Sequence, residues 1–231
     1  VDESVERYRT LPVGKATGRT IEALWNGICR RTLDELVGRP VWDRGDWDIL
    51  VVADAARVDL MREAVRHFGD LPNDVDGVWS NASTSIDWID RTFNGHPDNA
   101  RRTGYVTANP FAAHDEPTVR SADLAEPEVG HLRLLFQSEW QDVGGGIETV
   151  PPERVTDHAI DAWRRREELG IDRLIIHYMQ PHEPYRARPE WGGGDHVLLK
   201  NLVDGDSKAG ASVFPRVRAG DVPLEEFRAV Y

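Results

Sequence analysis

The chain has 231 residues, 40% of them hydrophobic and 29% charged, which is typical of a globular protein and excludes an intrinsically disordered one. The formal net charge of −12 disfavours nucleic acid and anionic lipid as partners, because both are negatively charged. No apolar run approaches the roughly 20 residues that span a bilayer, and no secretion leader is seen at the start. We therefore expect a cytoplasmic protein, either one sizeable domain or part of a larger one, with no membrane segment and no nucleic-acid partner.

The charged residues are biased towards acids and arginine. Asp and Glu number 40 against 28 Lys and Arg, and the lysines are Lys15, Lys200 and Lys208. Carboxylates hold water and cations at high salt, whereas long lysine stems expose apolar surface. The composition therefore predicts a salt-adapted, halophilic protein, and the alternative is an ordinary acidic cytosolic protein.

Salt is accordingly expected to stabilise the fold. A net charge of −12 repels itself within the compact state, and added salt screens that repulsion. The midpoint of thermal unfolding should therefore be higher in molar KCl than in dilute buffer. Melting curves at low and high KCl measure this, and a midpoint that falls as KCl is added would contradict the prediction.

Residues 1–40 are predicted to form an N-terminal arm followed by a helix. Residues 1–17 are polar, and residues 18–37 carry apolar residues at helical spacing. Cys29 lies in this helix and is the only cysteine, which excludes an internal disulfide and a cysteine-rich zinc site. We interpret Cys29 as a small buried apolar residue, because no strand-loop context favours a nucleophilic role.

Strands and helices are predicted to alternate from residue 41 onwards. The continuous apolar run Ile49–Ala53 predicts a fully buried, central parallel strand, and residues 57–68 show helical spacing. The hydroxyl-rich segment 80–85 opens a second helix, which carries apolar residues to Phe93. Residues 103–110 then predict another strand that ends in a turn.

The second half of the chain continues this alternation. Residues 111–150 are predicted to form an irregular excursion with a short apolar segment near Leu132–Phe136. Pro151-Pro152 begins a helix that runs to about Glu168, and Leu174–Met179 predicts the next buried strand. Residues 186–222 are predicted to be a long loop, and a last helix begins near Pro223.

The order of elements predicts an α/β fold with a mainly parallel central sheet and helices on both faces. The strands Ile49–Ala53, Tyr105–Thr107 and Leu174–Tyr178 are expected to be neighbours in that sheet, because their apolar runs are separated by helical patterns.

Three polar residues follow predicted strands, where ligands bind in open α/β sheets: Asp54, Asn109 and His182. Ser83, Thr84 and Ser85 lie at a predicted helix N-terminus, which favours an anion because free N–H groups and the helix dipole point at it. A carboxylate, a hydroxyl and a histidine around an anion pocket suit metal-assisted transfer of a phosphoryl or sulfuryl group.

Each of these residues also has a purely structural interpretation. Asp54 can cap the helix at 57–68, and the hydroxyls of Ser83–Ser85 can cap the helix that follows them. Asn109 and His182 lie next to prolines and can simply shape turns. Their common position at one edge of one sheet is what favours a shared site.

Four segments resemble the sulfatase-like hydrolases of the alkaline-phosphatase superfamily. They are Asp48-Ile-Leu-Val-Val-Ala-Asp54-Ala-Ala-Arg57-Val-Asp59, Ser83-Thr84-Ser85-Ile86-Asp87-Trp88, Gly104-Tyr105-Val106-Thr107-Ala108-Asn109-Pro110 and His177-Tyr178-Met179-Gln180-Pro181-His182-Glu183-Pro184-Tyr185. The resemblance covers residues from about 40 to 231 and is greatest to the sulfatase-like proteins of haloarchaea.

The resemblance implies roles for these residues. Asp54 would bind a divalent metal ion (Zn, Ca, Mg or Mn), with Arg57 or Asp59 in a supporting position. One of Ser83, Thr84 and Ser85 would be the nucleophile, with Thr84 or Ser85 favoured because each adjoins the first helical turn. His182 would contact the anionic group or protonate the leaving oxygen. Asn109 would lie near the substrate-binding position, where many relatives carry a cation.

Two departures from the family pattern affect these expectations. The chain has no Cys-x-Pro-x-Arg segment, which favours a Ser or Thr nucleophile and phosphoester chemistry. It also lacks the later Asp-His-Gly segment that completes the metal site in relatives, since Asp195-His196 is predicted to be a loop and Asp157-His158 a solvated helix face. We therefore expect residues 41–231 to be the N-terminal part of a catalytic domain, incomplete at its C-terminus.

By itself this chain should have little or no esterase activity, because an incomplete coordination shell binds metal weakly.

The function expected from the resemblance is a metal-dependent hydrolase or transferase acting on a small-molecule or glycan sulfate or phosphate ester. The alternative is a catalytically inactive relative that serves as a binding or structural protein. A nucleotide-binding α/β module is disfavoured, because no strand is followed by a glycine-rich signature.

Overall fold

A four-stranded parallel sheet organises the computed structural model, which describes residues 38–113, 120–143, 148–185, 188, 191 and 213–230. The strands are β1 (Ile49–Ala53), β2 (Thr103–Thr107), β3 (His131–Leu134) and β6 (Arg173–Tyr178), in the order β1-β6-β2-β3. Strands β4 (Gln141–Asp142) and β5 (Glu148–Thr149) form a separate antiparallel pair. The predicted α/β class and the parallel pairing are confirmed, with β6 lying between β1 and β2.

The described part of the chain contains seven α-helices. They are α1 (Val58–His67), α2 (Ser85–Phe93), α3 (Pro97–Ala100), α4 (Pro152–Arg164), α5 (Arg166–Leu169), α6 (Val213–Ala219) and α7 (Leu224–Val230), with short 3-10 turns at Val41–Asp43 and Leu135–Gln137. The helices predicted at 57–68, after the hydroxyl segment, from Pro152 and near Pro223 are confirmed. None of the described helices is long and apolar enough to cross a membrane.

Helices cover both faces of the sheet, as predicted. Ile89 and Phe93 of α2 pack against Tyr105 and Ile175 on one face, while α4 packs against Val106 and the neighbouring strand residues on the other. Successive residues of a strand point to opposite faces, so β2 contributes to both cores. A separate small cluster joins Tyr185, Trp191, Val213, Val222 and Phe227.

The prediction that Ile49–Ala53 is a fully buried central strand is wrong for the described part of the sheet. Strand β1 lies at one edge of it, and Ile49 and Val51 are 42% and 59% exposed. Leu50 and Val52 alone turn towards the α2 side and pack partly against the core. An apolar run reports hydrophobic content but does not report how many neighbours a strand has, which explains the error.

Two segments predicted to be irregular contain regular structure. Within 111–150, β3 pairs in parallel with β2, and within 186–222 the helix α6 forms. Strand β3 was missed because its four half-buried residues are stabilised by pairing with a strand distant in sequence, which local patterns do not show. Helix α4 also ends at Arg164, before the predicted Glu168, and α5 follows it.

Other predictions concern polar positions and the start of the chain. Asp157 is exposed as expected, but His158 is not simply solvated, since its Nε2 lies 3.1 Å from Glu139 Oε1 and its side chain is 24% exposed. The predicted arm and helix at 1–37 with Cys29, and the Asp195-His196 pair, lie outside the described residues.

Candidate active site at the carboxyl edge of the sheet

A pocket of about 640 Å³ lies where β1 and β6 end. All strands of a parallel sheet end at the same edge, so residues that follow different strands meet there. The lining residues are Val52, Ala53, Asp54, Ala55, Ala56, Ser80, Ala82, Ser83, Thr84, Ser85, Ile86, Trp88, Phe111, His177 and His182. The structure therefore brings Asp54, the Ser83–Ser85 hydroxyls and His182 to one pocket, as expected from the sequence.

The main chain holds Asp54 between the two strands. Its N–H donates to the Tyr178 carbonyl at 3.0 Å, which extends the β1–β6 ladder by one residue. Its own carbonyl accepts the N–H of His182 at 3.0 Å. These bonds connect the segment after β1 directly to the segment after β6, although Asp54 and His182 lie 128 positions apart in the sequence.

The Asp54 carboxylate is the centre of the polar contacts in the pocket. The Ser85 hydroxyl donates to Oδ2 at 3.0 Å and to Oδ1 at 3.2 Å, and the Asn109 amide donates to Oδ2 at 2.7 Å. His177 Nε2 lies 3.4 Å from Oδ2. A buried carboxylate needs such donors, because an unpaired buried charge is costly.

These contacts decide the ionisation of Asp54. Burial raises its pKa, but hydrogen bonds from His177 and Ser85 and the electrostatic influence of the His177 and His182 rings together hold the pKa below its ordinary value of 3.8. The side chain is 11% exposed, so the charge is largely removed from solvent. Asp54 therefore presents a carboxylate, and not a neutral acid, at neutral pH.

The three hydroxyl residues at the start of α2 have different contacts. Thr84 is the N-cap residue, since its hydroxyl accepts the Asp87 N–H at 3.3 Å and donates to Asp87 Oδ2 at 2.6 Å. Ser85 is the first helical residue and its hydroxyl contacts Asp54, while Ser83 is exposed at the rim. The N–H groups of Ser85 and Ile86 have no acceptor within the helix and face the pocket end. Of the three candidates, Ser85 is the one in contact with the carboxylate.

His182 has a defined orientation. Its Nδ1 lies 2.9 Å from the carbonyl oxygen of Glu183. A carbonyl only accepts hydrogen bonds, so Nδ1 carries a hydrogen and donates it. Nε2 is then the nitrogen left to act on a bound group, either as a ligand or as a proton carrier.

Asn109 is buried behind Asp54, with 1% of its surface exposed. Its amide nitrogen donates to Asp54, and its amide oxygen accepts the Phe111 N–H at 2.9 Å. The residue is not among those that line the pocket. Its substrate-binding role stays a prediction, and the geometry favours support of Asp54 instead.

Sequence reasoning assigned no site role to His177 or Tyr105. His177 lies in β6 between Val52 and Thr107, is 2% exposed, and its Nδ1 is 2.7 Å from the Tyr105 hydroxyl. The signal that could have found it is a histidine inside an apolar strand run, because a buried imidazole must have partners. Arg57 and Asp59, by contrast, pair with each other outside the pocket at exposed positions.

The side chains around Asp54 provide few metal ligands. The described residues do not bring three His, Cys, Asp or Glu side chains together, so they do not assemble a zinc-type shell. Magnesium-type ions are held by one or two carboxylates and take further oxygens from water and substrate phosphates. The ionised Asp54 and the adjacent Ser85 hydroxyl fit such a site.

Compared with protein-family models, curated proteins and solved structures, the chain gives no significant match. The comparisons therefore do not indicate what the pocket does, and its chemistry is inferred from the geometry of its residues.

Proposed function

We propose that the protein is a metal-dependent hydrolase or transferase of phosphate or sulfate esters, with the sulfatase-like fold of the alkaline-phosphatase superfamily. The observation that carries this proposal is the contact of the Ser85 hydroxyl with the ionised Asp54, at the N-terminus of α2 and inside a pocket. Ser85 is not the N-cap of α2, so its hydroxyl is not needed to cap the helix, whereas a serine nucleophile needs neighbouring groups that orient and activate its hydroxyl.

Ser85 is the nucleophile in this proposal. Its Oγ forms the new bond to phosphorus or sulfur while the bond to the alcohol oxygen of the ester breaks. The serine hydroxyl donates a hydrogen bond to the Asp54 carboxylate, but a carboxylate whose pKa is held below 3.8 is too weak a base to keep the proton, which leaves to water. The alcohol oxygen takes a proton from His182 Nε2. Water or a second alcohol then attacks the seryl ester and gives its own proton to His182 Nε2, while the bond to Ser85 Oγ breaks and Oγ takes a proton from water.

The anionic group of the substrate would lie at the N-terminus of α2. The N–H groups of Ser85 and Ile86 and the positive end of the helix dipole favour negative charge there. Asp54 and Ser85 would hold a divalent ion, which supplies charge neutralisation and lowers the pKa of the hydroxyl when bound. Asp54 is kept in place for this by Asn109, which donates to its Oδ2.

Phosphate is the favoured group over sulfate. Sulfate-ester hydrolases of this superfamily commonly use a cysteine-derived formylglycine, and the only cysteine of this chain is Cys29, distant in sequence from the 83–85 segment. A serine hydroxyl supports phosphoryl transfer directly.

One observation favours the alternative of an inactive binding protein. Ser85, Asn109 and His177 already surround the Asp54 carboxylate, so its charge is compensated by the chain's own residues. A relative that had lost catalysis could keep this arrangement and bind an anionic ester at α2 without cleaving it.

Covalent labelling tests the proposal. The chain is incubated with Mn²⁺ and 4-nitrophenyl phosphate or 4-nitrophenyl sulfate, and peptides are analysed by mass spectrometry for an ester on Ser85. This readout needs only one turnover, so slow hydrolysis does not hide it. A Mn²⁺-dependent label on Ser85 supports the proposal, and metal-independent labelling or a label elsewhere contradicts it. Binding of phosphate or sulfate without any label supports the inactive relative.

A further inference from the structure

We propose that Tyr105 and His177 form a positioning pair that fixes the Asp54 carboxylate with its Oδ1 oxygen presented to the pocket. The pair acts by positioning Asp54, so its role is distinct from those of the nucleophile and the proton carrier. This inference rests on the proposed function of the same site, in which Asp54 holds the metal ion.

The two oxygens of Asp54 have unequal surroundings. Oδ2 lies 2.7 Å from the Asn109 amide nitrogen, 3.0 Å from the Ser85 hydroxyl and 3.4 Å from His177 Nε2. Among the described residues, Oδ1 has the Ser85 hydroxyl, at 3.2 Å, as its side-chain contact. An ionised carboxylate has about four lone-pair directions, so Oδ1 keeps capacity for a further ligand.

The hydrogen bonds define one tautomer of His177. The ionised Asp54 carboxylate only accepts hydrogen bonds, so the nitrogen that faces it, Nε2 at 3.4 Å from Oδ2, carries the imidazole hydrogen. In the neutral imidazole Nδ1 is then an acceptor, and the Tyr105 hydroxyl, 2.7 Å away, donates to it. The hydrogens therefore point in one direction, from the Tyr105 hydroxyl to His177 and from His177 to Asp54 Oδ2.

Packing prevents the imidazole from turning away. His177 is 2% exposed, and the Trp88 ring meets it edge-on with the ring centroids 5.6 Å apart. The Tyr105 ring is itself held against Phe93, at a centroid distance of 4.5 Å. A histidine with only a packing role would need a hydrogen-bond partner for one ring nitrogen, and Tyr105 would be enough. In this chain the second nitrogen faces the one carboxylate that lines the pocket in the described part of the sequence.

Metal ligands depend on such partners, because outer-shell changes typically cost about 10- to 100-fold in metal affinity. Tyr105→Phe removes one hydroxyl and keeps the ring, so we expect Mn²⁺ to bind about 10- to 100-fold more weakly, with the fold retained. Tyr178→Phe is the matched control. Its hydroxyl lies 2.9 Å from Thr156 Oγ1, outside the pocket, so the same change there should leave Mn²⁺ affinity unaltered.

The test combines Mn²⁺ titration followed by electron paramagnetic resonance with ¹⁵N spectra of the histidine rings. The wild-type protein should show His177 as the Nε2–H tautomer, and Tyr105→Phe should lose that single state. An Nδ1–H tautomer in the wild type would overturn the proposal, even if the variant failed to fold. So would unchanged Mn²⁺ affinity in Tyr105→Phe, provided Asp54→Asn abolishes binding. If Asp54→Asn leaves Mn²⁺ binding unchanged, or the wild type binds none, the proposed function fails, and the ¹⁵N spectrum alone then decides the pair.

Discussion

Replacing Ser85 with Ala is expected to abolish the Mn²⁺-dependent covalent label. The change removes the oxygen that bonds to phosphorus or sulfur, and no neighbouring hydroxyl stands in the same place. Thr84 cannot substitute for it, because its own hydroxyl is engaged with Asp87. Mass spectrometry of the peptide that contains residue 85 measures the loss, because one turnover is enough to form the label.

Thr84→Ala is expected to lower stability and to leave the covalent label intact, which is the reverse of the effect on the label in Ser85→Ala. Loss of an N-cap side chain costs about 1 kcal/mol of stability, so the unfolding midpoint should fall while the label on Ser85 persists. Ser83→Ala is the control for serine removal, since Ser83 is exposed and does not cap the helix. A label that disappears in Thr84→Ala but survives in Ser85→Ala would reverse our assignment of nucleophile and cap.

The expected position of the site follows from the sequence, but its internal contacts do not. Asp54 and His182 each follow a predicted strand, and parallel strands place such residues at one edge. Which hydroxyl reaches Asp54 depends on where α2 begins, and a shift of one residue rotates a side chain by about 100° around the helix. The sequence therefore left Ser83, Thr84 and Ser85 as alternatives, with Thr84 or Ser85 favoured, and the structure shows that Ser85 contacts Asp54 while Thr84 caps α2.

Contacts between residues distant in sequence could not be predicted from local patterns either. Strand β3 has four residues, all half-buried, and its partner β2 lies more than 20 residues earlier in the chain. The His177–Tyr105 bond joins residues that are 72 positions apart, so no local pattern contains it. The family resemblance placed Asn109 near the substrate, and nothing in the sequence indicated that its amide donates to Asp54. Local periodicity thus predicts where most helices and strands lie, but it does not show which polar groups bond to one another.

Truncation of Phe93 to Ala is expected to destabilise the fold strongly. Phe93 ends α2, is 1% exposed, and packs against Tyr105 and Trp42 with ring-centroid distances of 4.5 and 6.4 Å. Removing a buried phenyl ring loses its burial and leaves a cavity, which costs about 3–5 kcal/mol. For a chain of this size the unfolding midpoint should fall by roughly 6–20 °C.

Phe68→Ala is the matched control, because it makes the same chemical change at a position that is 64% exposed. Its effect should stay within about 0.5 kcal/mol, as for most surface substitutions. Chemical denaturation of both variants measures the difference directly. The result also bears on the site, because Phe93 anchors the helix whose first residue is Ser85 and supports the ring of Tyr105. Equal stability of the two variants would mean that α2 does not pack on the sheet through Phe93, and the contact between Ser85 and Asp54 would then have no rigid support.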